Sequence, residues 1–104
     1  MLTVGIVVNP DKPKAHEVAA QLLQLLEEKN VKVYIEPDVA RHLDRPEIQL
    51  PREKFPRCIN LVFVIGGDGT LLGIARAFAP YDIPILGINV GYLGFLSEAE
   101  PEDL

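Results

Sequence analysis

Residues 3–9, TVGIVVN, form an unbroken β-branched run closed by Asn9 and Pro10. A strand with one wet face alternates apolar and polar residues, so a run this continuous is expected to be covered on both faces. Double coverage requires helices above and below, which confines the chain to an α/β architecture with a parallel sheet. A second run, INLVFVI at 59–65, is more hydrophobic still and leads directly into the glycines of GGDGT.

The segments between fit that frame. From Ala15 to Lys29, Val18, Ala19, Leu22, Leu23, Leu25 and Leu26 recur at spacings of three and four, the signature of an amphipathic helix, and Asn30 is its stop. VKVYI at 31–35 is short and alternating, which places it nearer a sheet edge. From Pro37 to Arg57 four prolines interrupt the pattern, and only VARHLD is expected to make a turn or two of helix. A helix near Thr70 to Ala79, a break at Pro80 and a strand at 83–90 complete the order. Strand, helix, strand, loop, strand, helix, strand implies right-handed crossovers. The expected fold is a Rossmann-like three-layer α/β domain with a mostly parallel sheet of about four strands.

Composition bounds the function. At 104 residues there is room for one domain and little for a complete two-substrate enzyme. EPEDL, with Pro101 at a favoured first helical position, announces a helix and stops at Leu104, so the sequence reads as the amino-terminal part of a longer polypeptide. Fifteen acids against ten bases, net −5, disfavour nucleic acid and anionic membranes as partners. No run of eighteen apolar residues and no secretory leader stand in the sequence, making cytoplasm the default compartment. Cys58, the single cysteine, is read as a small buried thiol. His16 and His42 belong to no recognisable constellation and are read as surface residues, as is Arg76.

The chemistry concentrates where strands end. Open parallel sheets bind ligands at the carboxyl ends of their strands, where Gly66 to Thr70 and Asn89 to Gly94 both fall. Gly66, Gly67 and Gly69 permit positive φ and leave backbone amides bare to a phosphate, while the plain alternative is a strand-to-helix turn capped by Asp68 or Thr70. The dinucleotide fingerprint of dehydrogenases is matched only loosely and on the wrong strand, and a Walker loop fails because GGDGTLLG has no lysine. A carboxylate beside phosphate-binding amides costs electrostatic repulsion unless it is used. Asp68 could accept a proton from an attacking hydroxyl or hold a magnesium ion bridging phosphates; both belong to phosphoryl transfer.

GGDGT, followed some twenty residues later by GINVGYLGFL, closely resembles the inorganic polyphosphate/ATP-NAD kinase family, which phosphorylates the adenosine 2′-hydroxyl of NAD to give NADP. The first motif is shared with diacylglycerol and sphingosine kinases and related to one in phosphofructokinases; NVGYLGFL narrows the resemblance. The resemblance implies that Asp68 is the proton acceptor, that Asp68 and Gly69 touch NAD, and that Phe95 contacts adenine with Leu96 beside it. Gly66, Gly67 and Thr70 complete the expected nucleotide-binding set with Asn89, which could equally cap its strand end. The plain reading of Tyr92, Leu93, Phe95 and Leu96 is core packing.

What the resemblance further implies is magnesium or another divalent cation, ATP or polyphosphate as donor, a homo-oligomeric full-length enzyme, and a mostly β carboxyl-terminal domain carrying most of the NAD pocket. Nothing in the chain matches that second domain. Two other readings stay open: a lipid or sugar kinase of the same superfamily, and a non-catalytic nucleotide-binding module.

Overall fold

The computed structural model describes residues 2–9 and 11–90. Four strands, β1 (Thr3–Val8), β2 (Lys32–Ile35), β3 (Leu61–Gly66) and β4 (Ile85–Asn89), form one sheet in the order β2-β1-β3-β4. Every pairing is parallel. The helices are α1 (Pro13–Glu28), α2 (Pro37–His42), α3 (Phe55–Cys58) and α4 (Asp68–Phe78), with 3-10 turns at Pro46–Ile48, Arg52–Lys54 and Ala79–Tyr81. The three-layer α/β reading holds, and β2 is an edge strand as its alternation suggested.

Strand periodicity sorts the core into two layers. Val4, Ile6 and Val8 face Ala15, Ala19 and Leu23 of α1, joined by Val39 and Ala40 of α2. Val7, Val62 and Val64 face the other way, onto Phe55, Ile59, Ile74 and Phe78. Val4 to Val8 are all buried, as a doubly covered strand requires. Gly5 is where the second layer comes closest: a Cβ there would stand 2.8 Å from the Phe55 ring and 2.9 Å from Ile59 Cδ1. Backbone of β1 thus takes the place of a side chain, and Phe55 fills the room completely buried.

Helix ends explain most of the boundary differences. α1 begins two residues earlier than the periodicity suggested because Pro13, with φ preset and no N–H to lose, occupies its first turn. Its end is a Schellman motif: Asn30 is left-handed at φ 61°, its N–H donates to Glu27 O at 3.0 Å, and the Val31 N–H donates to Leu26 O at 3.0 Å. α2 ends the same way, through left-handed Asp44 and the Arg45 N–H donating to Ala40 O at 2.8 Å. The segment 37–57 carries more regular structure than its prolines suggested. Pro37 opens α2, and α3 forms where Phe55 is drawn into the core.

Cys58 corrects an expectation. It is exposed, because α3 turns Phe55 and not its last residue toward the sheet. EPEDL lies outside the described residues, as do Phe95, Leu96 and the rest of GYLGFL.

Candidate active site

In this strand order the chain leaves β1 first to one side, toward β2, and later to the other, toward β3 and β4. Connections that part in opposite directions leave a crevice at the carboxyl ends of the two central strands, here Val8 of β1 and Ile65 of β3, which are register partners. Asn9 seals its floor, its N–H donating to Ile65 O at 2.9 Å. Gly66 extends the ledge as the register partner of Asn89 on β4.

Gly66 is required by proximity. A Cβ added there would lie 2.8 Å from Asn9 Cβ and 3.1 Å from Thr70 Oγ1, so only glycine lets the first and third strands end this close together. The positive φ that these glycines permit is not used: among the described residues no glycine has one, and Gly67 is extended at φ −101°, ψ −172°. Among the described residues nothing stands within 4 Å of a Cβ added at Gly67 or Gly69. Bareness, not handedness, is what they contribute.

The helix also starts earlier than expected. Gly67 is the N-cap of α4 without a side-chain cap, and Asp68 is its first residue, so neither Asp68 nor Thr70 is the ordinary cap the plain reading required. Amides of the first helical turn have no carbonyl a turn behind them, and they carry the positive end of the helix dipole. Asp68 stands exposed at that end, where its charge is favoured. The half-buried Asn89 reaches across from β4, its Nδ2 donating to Asp68 Oδ1 at 3.1 Å. This hydrogen bond ties the end of β4 to the first residue of α4.

Gly66, Gly67, Asp68, Gly69, Thr70 and Asn89 thus meet on one ledge, and Arg76 is exposed further along α4. Asn9 was missed by the sequence reading except as a strand boundary; its Oδ1 accepts from the Asp11 N–H at 3.0 Å, folding the chain back beside the crevice. An Asn-Pro pair directly after a buried strand was the available signal. Among the described residues no group of three or more potential metal ligands gathers. A single carboxylate beside bare amides fits magnesium, which is commonly held by one or two carboxylates plus substrate phosphates.

The acid and the glycine ledge stand at the topological switch point of the sheet, the place where open α/β sheets bind their ligands. The chain belongs to the family described as the ATP-NAD kinase N-terminal domain, whose model matches residues 4–104. Proteins named NAD kinase are similar along its length: that of Heliobacterium modesticaldum is 46% identical over 105 residues and that of Moorella thermoacetica 43% over 104, both covering 100% of this chain. The chain spans 36% and 33% of those relatives, about a third of their length. Among solved structures, yeast NADH kinase complexed with NADH superposes with a TM-score of 0.69 at 23% identity, over 88% of this chain and 30% of that one, a likeness of fold.

Proposed function

We propose that this chain is the amino-terminal part of an NAD kinase, and that Asp68 accepts the proton of the adenosine 2′-hydroxyl as it attacks a phosphoryl donor. The observation that carries the reading is the Asn89–Asp68 hydrogen bond at 3.1 Å on a glycine ledge. An alcohol is a poor nucleophile until its proton leaves, and a fixed carboxylate within hydrogen-bond reach supplies the acceptor. Asn89 binds one oxygen of the exposed carboxylate, and the other would accept the hydroxyl proton where the helix amides meet donor phosphates. Gly67 and Gly69 keep side chains out of that path. Magnesium or a similar divalent cation, when bound with the donor, would neutralise phosphate charge beside Asp68.

ATP or polyphosphate is the donor in this reading, and a carboxyl-terminal β domain completes the NAD pocket, with Phe95 and Leu96 at the adenine. The location is cytoplasmic and the full-length enzyme homo-oligomeric. The test is Asp68→Asn in the full-length polypeptide. Turnover should fall by about 10²–10⁴-fold, the usual worth of general base catalysis, with NAD affinity retained. Turnover close to wild type would sink the assignment, while activity on diacylglycerol and none on NAD would favour a lipid kinase.

A further inference from the structure

His16 and His42 lie 26 residues apart in sequence, yet their rings meet with centroids 4.1 Å apart and planes at 38°. His16 sits in the first turns of α1 and His42 is the last residue of α2. Both backbones are fixed. Ala15 and Ala19 anchor α1 on the sheet, Val39 and Ala40 anchor α2, and the Schellman turn at Asp44 sets the direction of the His42 end. The side chains themselves are accessible, His16 half-buried and His42 exposed, and with Pro13 and Glu17 they line a surface cavity of about 560 Å³. Among the described residues neither ring has a hydrogen-bond partner in the protein, so its nitrogens are open to a ligand.

We propose that the His16–His42 pair is a binding site for a first-row transition-metal ion of the zinc or nickel type, clamping α1 to α2. Two metal–nitrogen bonds of about 2.0–2.1 Å at a tetrahedral angle place their nitrogens about 3.3 Å apart, so the rings, which now meet at 4.1 Å between centroids, would turn edge-on to share the ion. Imidazole is the ligand such ions favour, and magnesium, a hard ion seeking oxygen, is not drawn to it. Water would take the remaining positions on the ion, since among the described residues no third His, Cys, Asp or Glu gathers with the pair. His16 and His42 are carried by α1 and α2, whereas Asp68 is the first residue of α4.

Calorimetric titration of the full chain, free of any polyhistidine tag, with Zn²⁺ and with Ni²⁺ tests the clamp. One saturable site is expected, weakened by about tenfold or more in His16→Ala and in His42→Ala and unchanged in Cys58→Ser, which removes the exposed thiol as a rival ligand. Zinc should also raise the melting temperature of the wild-type chain and not that of either histidine variant. Should a variant fail to fold, broadening of both histidine ring signals by Ni²⁺ in the wild-type NMR spectrum replaces it. Absence of saturable binding, affinity indifferent to both substitutions, or ring signals untouched by Ni²⁺ would each overturn the site.

Discussion

Three glycines share the ledge and do different things. At Gly66 an added Cβ meets Asn9 at 2.8 Å, so Gly66→Ala should destabilise the chain by about 1–3 kcal/mol, read from its urea midpoint, as overpacking does. Gly67 and Gly69 meet nothing among the described residues, and alanine at either should leave stability within roughly 1 kcal/mol, with Gly69→Ala the more favourable because it lies in a helix. Their cost should fall instead on nucleotide affinity in the full-length enzyme, since a methyl group would then stand over the amides. Equal losses of stability at all three positions would contradict this division. The glycines, Asp68 and Thr70 were legible in GGDGT itself, whereas the contact with Asn9 was not, since nothing local says which strand end lies alongside.

Elements are held by a few specific joints. Phe55, completely buried against the bare backbone of Gly5, is the joint between α3 and β1. Phe55→Ala should cost about 3–5 kcal/mol in chemical denaturation. Gly5→Ala should be destabilising too, yet the double variant less so than the sum, because the ring that the methyl group strikes is then gone. A second joint is Arg45, whose guanidinium donates to Glu27 at the end of α1, at 2.6 and 3.0 Å, and also to Glu47. Hydrogen bonding to Arg45 holds the Glu47 carboxyl below its ordinary value of 4.5. A lowered folded-state value means stability present above about pH 4.5 and lost as pH falls through that lower value. The urea midpoints of wild type and Glu47→Gln should therefore differ slightly at neutral pH and converge in acid; divergence in acid would refute the joint.

On the scale of the whole molecule, the described residues leave the ledge open. They supply one wall of a cleft: the acid, the amide bonded to it and the bare helix start. Holding two reactants in line is worth about 7–11 kcal/mol of barrier in well-ordered sites, and one wall cannot do so. The 104-residue chain by itself should form NADP at least about 10⁵-fold more slowly than the full-length polypeptide, as measured by a coupled dehydrogenase assay. Comparable rates would mean that these residues suffice and that the two-domain proposal is wrong.

Hydrophobic continuity in TVGIVVN and INLVFVI determined the parallel sheet, because a strand without a polar face has to be covered twice, and periodicity alone gave α1. The residues of the ledge were likewise readable in sequence, since acid, glycines and helix start are neighbours along the chain. Tertiary structure decided what depends on approach across space: Asn89 on Asp68, Asn9 under Gly66, Phe55 in the hollow of Gly5, and His16 against His42. Each is a contact between elements far apart in sequence. Short-range spacing encodes local conformation; only the packing of finished elements fixes which distant side chains meet.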